Sequence, residues 1–307
     1  MTNLFDYILE ILYIAIGLQF LYTSIRVMLN PSHNKKLSTA LFWFILAIIF
    51  TVGAQIPPYI NGILLCIVGF LTLIKGIVIK NEYKVTEQIQ EEKANKYKNK
   101  IFVPVIIMAL FALLLAQLVP SSSKSALGIA AVISIIVSMV LTNTSLKSMM
   151  DESDRMVQQV GTTGILPQLL AALGVIFATA GVGEVISKLI GNFVPNGSIL
   201  AGCIAYVLGM VIFTMIMGNA FAAFTVITTG IGIPFVISQG ANPAIACALA
   251  MTSGYCGTLL TPMAGNFNAL PIALLEMKDN NKIIKEQAIY SFILIIIHIL
   301  LMYFWAF

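Results

Sequence analysis

Charged residues are scarce in this sequence. Asp, Glu, Lys and Arg together make up 10% of the 307 residues, whereas soluble domains carry about 25%. The chain also has only four cysteines and two histidines, and no cluster of them has the spacing of a metal site. These shortages argue against a soluble domain of any size, a disulfide framework and a histidine-based metal site.

Groups that could carry out catalysis are equally rare. No Ser/His/Asp set, pair of carboxylates or phosphate-binding loop can be assembled from the sequence, so we predict neither an enzyme nor a bound cofactor. The apolar stretches contain no central carboxylate, which gives little support to proton coupling through this chain. His298 lies in the last of these stretches, and we expect it to be packed and hydrogen-bonded.

Apolar residues dominate what is present. They form 59% of the chain and give a mean hydropathy of +0.96, and about 20 consecutive apolar residues span a bilayer. We therefore predict an all-α, polytopic integral membrane protein with about eight transmembrane helices plus a re-entrant hairpin and a broken helix. The apolar stretches cover residues 4–29, 38–56, 58–79, 101–120, 125–145, 164–190, 198–217, 220–238, 244–276 and 288–306.

One long polar segment divides the chain. Residues 81–100 interleave Lys with Glu, so we interpret them as a solvated linker, with a short helix as one form of it. The acidic residues offset much of the positive charge, which argues against nucleic-acid binding. The predicted parts are an N-terminal three-span scaffold (1–80), this charged loop (81–100) and a C-terminal transport unit (101–307).

The basic residues predict the orientation. With the N-terminus outside, 15 of the 17 Lys and Arg residues lie on the inner side, and only Lys124 and Lys188 lie outside. Because inner loops are enriched in positive charge, we predict this orientation in a cell membrane (inner or plasma), with loop 81–100 in the cytoplasm.

Two of the apolar stretches are interrupted by residues that disfavour helices. Gly218 and Asn219 interrupt residues 198–239, and the arms on either side look short for a full span, which predicts a re-entrant hairpin. Residues 244–276 are too long for one span and contain Pro262 and Gly265, which predicts a broken helix. Four full crossings over 164–276 fit the predicted orientation equally well.

Interrupted helices at membrane depth are tolerated only where they are buried in protein or line a wet cavity. In transporters, such helices occur in pairs and build the binding site. The neutral oxygens of Asn, Thr and Ser suit a hard cation such as Na⁺ and can also accompany a carboxylate. The candidate substrate- or ion-binding residues are Gly218, Asn219, Thr225, Ser253, Thr258, Thr261, Asn266 and Asn268, with a Na⁺ position near Asn219 and Asn266.

Other interpretations of these residues stay open. Gly, Pro and small residues also serve helix packing in membranes, and a Thr side chain often bonds the backbone of its own helix. The chain is then a non-transporting scaffold or assembly subunit. A self-sufficient channel, with the hairpin as its filter, is a further alternative.

The two interrupted stretches resemble a known superfamily. Residues 217–235 read MGNAFAAFTVITTGIGIPF and resemble the Ser-Asn-Thr hairpin motif of the ion-transporter superfamily, with Gly218 in place of Ser and Ala220 in place of Thr. Residues 248–271 read ALAMTSGYCGTLLTPMAGNFNALP and resemble the unwound helix that follows this motif. The resemblance implies a secondary carrier, or symporter, for a small organic anion such as a carboxylate.

Those carriers hold two such sets in one chain, and this chain shows one. Over its length the sequence also resembles the larger membrane subunit of a two-component family implicated in 5-oxoproline (pyroglutamate) uptake. The resemblance thus implies a permease subunit whose partner is a second membrane subunit with the complementary half-site.

Overall fold

The computed structural model describes residues 4–78, 87–192, 194–195, 197–275, 277, 279 and 281–307. Helices make up 83% of the structure, and no strand occurs among these residues. This confirms the all-α prediction. The chain divides into two compact units, Met1–Gln159 and Val160–Phe307, so the charged loop at 81–100 lies within the first unit.

The first unit contains two of the five helical segments that are long and apolar enough to cross a membrane. Its helices are α1 (Leu4–Leu29), α2 (Lys36–Val52), α3 (Pro58–Leu73), α4 (Glu87–Tyr97), α5 (Val103–Leu118), α6 (Ala126–Thr142) and α7 (Leu146–Val160), which ends at the boundary. Helix α4 covers most of the charged loop that the structure describes, as the short-helix interpretation expects, while residues 81–86 lie outside the described residues.

Small and hydroxyl side chains let α1 and α2 pack closely. Gly17 faces the backbone of α2, where an added Cβ would lie 3.0 Å from the Ala47 carbonyl oxygen. Ser24 donates a 2.7 Å hydrogen bond to the Ala40 carbonyl. Close approach at small residues is the usual way in which membrane helices associate.

The polar helix α7 is attached to α1 by an ion pair. The Arg26 guanidinium lies 2.7 Å from Asp151 and 3.4 Å from Asp154. Asp154 is buried, and a buried carboxylate is stable only when it is paired. The pair therefore fixes α7 at the end of α1.

His33 joins the α1–α2 loop to the segment after α3. The backbone N–H of Lys35 donates to His33 Nδ1 at 3.3 Å, so Nε2 carries the hydrogen and donates to the Val78 carbonyl at 3.0 Å. The ring is buried, and these two bonds join the α1–α2 loop to the segment after α3.

Fewer helices than predicted have the length of a full span. Five helices in the described residues are long and apolar enough to cross a membrane, or six if one bent pair counts as a single span. Three shorter apolar helices, α2, α3 and α6, have 17, 16 and 17 residues. Membrane spanning is therefore supported, and the full count of eight is not.

The second unit holds both interrupted stretches. Its helices are α8 (Leu166–Thr179), α9 (Val182–Gly191), α10 (Ile199–Met217), α11 (Ala220–Ile227), α12 (Ile233–Phe235), α13 (Pro243–Leu259), α14 (Leu270–Leu274) and α15 (Lys282–Trp305). Two π-helical segments complete it: the first π segment (Thr228–Gly232) and the second π segment (Gly265–Ala269).

The sequence suggested a single span over 164–190, but this stretch is bent in the structure. Helices α8 and α9 meet at an angle of 68°. Gly181 between them has a φ of 74°, a left-handed conformation that glycine adopts without a steric penalty. A single glycine therefore turns the chain here.

The arms of the hairpin are longer than the sequence suggested. Helix α10 has 19 residues and Ala220–Gln239 has 20, and each is long and apolar enough to cross a membrane. The second arm continues past Gly230 and Gly232 because these residues are accommodated in the first π segment. The prediction of short arms is therefore wrong.

The core of the second unit lies between α10, α13 and α15. Tyr206, Met210 and Ala250 are fully buried there. Gly254 and Gly257 of α13 face α10, where a Cβ on Gly257 would overlap the Val211 carbonyl oxygen. Ser291 of α15 donates a 2.8 Å hydrogen bond to the Cys256 carbonyl. These contacts hold α13 in place up to its break.

Candidate functional site

The hairpin turn is built by two residues. Gly218 ends α10 with a φ of 69°, and its N–H donates to the Thr214 carbonyl at 2.6 Å. Asn219 caps α11, because its Oδ1 accepts from the N–H groups of Phe221 at 2.9 Å and Ala222 at 3.3 Å. Glycine permits the left-handed turn, and Asn is among the preferred N-caps.

The break in the second stretch lies between Leu259 and Gly265. A helix end leaves carbonyl groups without intrahelical partners, and Asn268 satisfies two of them. Its Nδ2 donates to the Thr258 carbonyl at 2.9 Å and to the Thr261 carbonyl at 2.8 Å. The Thr261 hydroxyl accepts from the Met263 N–H at 3.2 Å, so the irregular backbone is held by side chains.

The turn and the break lie directly against each other. A Cβ added to Gly218 would overlap the Met263 carbonyl oxygen and would lie 3.0 Å from the Met263 Cβ. The two interruptions are in contact at Gly218 and Met263, although they are far apart in the sequence. Each follows a long helix, about 28 Å for α10 and about 25 Å for α13, at a rise of about 1.5 Å per residue.

Some predicted site residues are occupied by their own helix. Ser253 is fully buried and donates to the Ala250 carbonyl at 2.8 Å. Thr258 is buried and donates to the Tyr255 carbonyl at 2.6 Å. Both hydroxyls therefore have hydrogen-bond partners within α13, and they stabilise the helix that leads to the break.

Other predicted site residues are accessible. Asn266 and Thr225 are exposed, and Asn219 is half-buried. Asn266 lies in the first turn of the second π segment, next to the break. Thr225 lies in α11, six residues beyond Asn219, and no described contact joins it to the break. The structure therefore brings Gly218 and Asn219 to the break held by Thr261 and Asn268, with Thr258 through its carbonyl. Asn266 follows the break in the chain.

Two buried polar atoms stand out near this junction. Asn268 Oδ1 and Thr214 Oγ1 have no hydrogen-bond partner among the described residues, and both residues are fully buried. Thr214 lies on α10, one turn before Gly218, and sequence reasoning missed it. The one feature of the sequence that pointed to Thr214 was its position four residues before the glycine.

Both interrupted stretches contain a π segment followed by proline. Ile233 and Pro234 follow the first π segment, and Leu270 and Pro271 follow the second. Proline cannot donate to the preceding turn and crowds it, which favours a wider helical turn. π segments often occur at functional sites, so this shared arrangement supports a common role.

Charge is absent from this region. Residues 189–275 contain no Asp, Glu, Lys, Arg or His. Any ion at the junction would therefore meet backbone dipoles and neutral side-chain oxygens and amides. The α11 N-terminus favours anions, while carbonyl and amide oxygens favour hard cations.

Comparison with known proteins now places the chain in a family. Residues 10–307 match the family described as "Protein of unknown function (DUF979)". The chain belongs to the DUF979 family. No curated protein and no solved structure matches it.

Proposed function

We propose that this DUF979 protein is a subunit of a secondary active transporter for a small organic anion. The site is the junction of the Gly218–Asn219 turn with the Thr261–Ala264 break. The direct contact of Gly218 with Met263 carries the proposal, because it joins two interrupted helices in one place. Paired interrupted helices are the usual construction of a carrier site.

The chemistry of the junction suits a carboxylate and a cation. The N-terminus of α11 offers a positive dipole end for the carboxylate, while Asn219 caps the Phe221 and Ala222 N–H groups. The unpartnered Asn268 Oδ1 and the exposed Asn266 offer neutral oxygens for Na⁺ near Asn219. We take 5-oxoproline, a small cyclic monocarboxylate, as the first substrate to test.

A second membrane subunit completes the proposal. Irregular backbone at membrane depth has to be covered by protein or water, and Pro262, Met263 and Asn266 at the break are exposed on this chain. A partner with its own interrupted helices would cover them and supply the complementary half-site.

The proposed topology has eight crossings with the N-terminus outside: α1, α2, α3, α5, α6, α8–α9, α13–α14 and α15. The α10–α11 hairpin begins and ends on the outer side, which holds whether its 19- and 20-residue arms turn within the bilayer or cross it. We predict that a membrane-impermeant maleimide labels Lys124→Cys in intact cells and labels Lys93→Cys only after lysis. Labelling of Lys93→Cys in intact cells would reverse the orientation.

Uptake by matched asparagine variants tests the proposed site. Asn242 caps α13 as Asn219 caps α11, accepting from the N–H groups of Ala244 at 3.0 Å and Ile245 at 3.3 Å. Loss of either cap by an Ala substitution should cost about 0.5–2 kcal/mol of stability. Only Asn219→Ala should also weaken apparent affinity, by about tenfold to a hundredfold, as expected for a lost hydrogen bond to a charged ligand.

The measurement is uptake of labelled 5-oxoproline and simple carboxylates into proteoliposomes, with and without a Na⁺ gradient. The chain is tested alone and with its partner, and each variant is also melted. Equal affinities for the Asn219→Ala and Asn242→Ala variants would favour the packing interpretation and a scaffold role. Full activity of the chain alone would rule out the missing half-site.

A further inference from the structure

His298 and Thr252 form a polar contact between two helices of the second unit. His298 Nε2 of α15 lies 2.9 Å from Thr252 Oγ1 of α13. His298 Nδ1 lies 2.7 Å from the Leu294 carbonyl oxygen. His298 is half-buried and Thr252 is exposed, so the pair is not sealed within the unit.

These contacts assign the hydrogens of the neutral ring. The Leu294 carbonyl can only accept, so Nδ1 carries the hydrogen and donates to it. Nε2 is then an acceptor, and the Thr252 hydroxyl donates to it. The expectation of a packed, hydrogen-bonded histidine is therefore met in the neutral state.

The same atoms also accommodate an added proton. Thr252 Oγ1 lies 3.0 Å from both the Ala248 and Leu249 carbonyl oxygens. When the Nε2 lone pair takes a proton from hydronium, water is released and the new Nε2–H donates to Thr252 Oγ1. The Thr252 hydroxyl rotates to donate to one of the two carbonyls. Every hydrogen bond is kept, with its direction reversed at Nε2.

His33 shows what a histidine without this freedom looks like. Its Nδ1 accepts from the backbone N–H of Lys35, and that hydrogen cannot rotate away. Protonation of Nδ1 would place two hydrogens between the same two atoms and break the contact. A hydroxyl partner is therefore what distinguishes His298.

The elements packed against His298 carry no other charge. Helices α10 and α13 contain no Asp, Glu, Lys, Arg or His, and their titratable groups are Cys203, Tyr206, Cys247, Tyr255 and Cys256. On α15 itself, the charged residues Lys282, Lys285 and Glu286 lie in the first turns, three or more turns away. The added charge would therefore meet carbonyl dipoles and has no carboxylate partner on these helices.

We infer that His298, with Thr252 as its hydrogen-bond partner, is a proton-binding site through which the carrier couples uptake to protons. This inference rests on the proposed transport function and adds a coupled proton to the Na⁺ position proposed at the junction. Thr252 precedes Thr258, whose carbonyl is bonded by Asn268, by six positions, about 9 Å along α13. A carboxylate bound at the junction supplies the negative charge that α10 and α13 lack, so proton and anion stabilise each other.

The first test does not depend on transport. The chain has two histidines, so His33→Gln leaves His298 alone, and ¹⁵N-histidine NMR in lipid nanodiscs reads its protonation directly. We expect both ring nitrogens to become protonated at acidic pH while the melting temperature stays unchanged. In Thr252→Val, which cannot accept from Nε2, the protonated Nε2 should lose the NMR signature of a hydrogen-bonded N–H. A ring that stays singly protonated wherever the protein is folded would overturn the inference.

The second test measures coupling. An inward gradient of one pH unit should raise accumulation of a monovalent anion about tenfold if one proton accompanies it. His298→Gln should abolish this stimulation, so that its uptake is the same with and without the gradient. Uptake that ignores the pH gradient would reject proton coupling. If no substrate is transported at all, the proposed function fails, while the NMR result still decides whether His298 binds a proton.

Discussion

Gly218→Ala is expected to abolish uptake and to lower the free energy of unfolding by about 2–5 kcal/mol. Two effects add at this position. The φ of 69° at Gly218 costs a residue with a Cβ about 1–2 kcal/mol. The new Cβ would also overlap the backbone oxygen of Met263, and overlap in a packed interior costs about 1–3 kcal/mol more.

Gly181→Ala is the matched control for this variant. Gly181 has a similar φ of 74°, but nothing lies within 4 Å of an added Cβ. It should therefore lose only the backbone term and keep uptake. Thermal melting in detergent, together with uptake into proteoliposomes, separates the two variants. Equal melting temperatures for the two variants would mean that a Cβ at Gly218 does not overlap the Met263 carbonyl oxygen.

Asn268→Asp is expected to lower the free energy of unfolding by about 2–6 kcal/mol, despite its nearly identical shape. The carboxylate cannot donate, so the buried carbonyls of Thr258 and Thr261 lose their partner. Each unsatisfied buried group costs about 1–3 kcal/mol. Uptake should be lost because the break no longer keeps its form.

Asn266→Ala provides the comparison, two positions away in the same π segment. Asn266 is exposed, so its loss should leave the melting temperature unchanged and weaken only the apparent affinity for substrate. Polar contacts between membrane helices average about 0.6 kcal/mol. If Asn268→Asp costs no more than that, its two bonds to the helix end are not what stabilises the break.

The sequence predicted the places where the helices stop, because glycine, proline and asparagine act locally. The turn at Gly218–Asn219 and the break near Pro262 agree with the conformational limits of those residues. The features that could not be predicted depend on neighbours from elsewhere in the chain. The sequence treats Asn266 and Asn268 alike, yet one is exposed and the other holds two carbonyls.

Contacts between residues far apart in the chain could not be predicted from the sequence either. His298 and Thr252 lie 46 positions apart, so their reversible hydrogen bond becomes evident only when α15 packs on α13. Ser253 and Thr258 are a different case, because their hydroxyls bond within their own helix, as the packing alternative allowed for threonine. Hydroxyl residues of this kind are also found in binding sites, but here their hydrogen bonds stabilise the helix.

The two π segments change the angular phase of the helical residues downstream of them. An α-helix advances about 100° per residue, and each π turn takes up roughly one extra residue. The helix beyond Gly232, and likewise the helix beyond Ala269, is therefore rotated by about 100° relative to a continuous α-helix. A change between π and α geometry in either segment would turn the downstream face, including Pro234 or Pro271, by that angle without unfolding the arm. In each interrupted stretch, the π segment is thus a point at which the downstream helix can rotate about the helix axis.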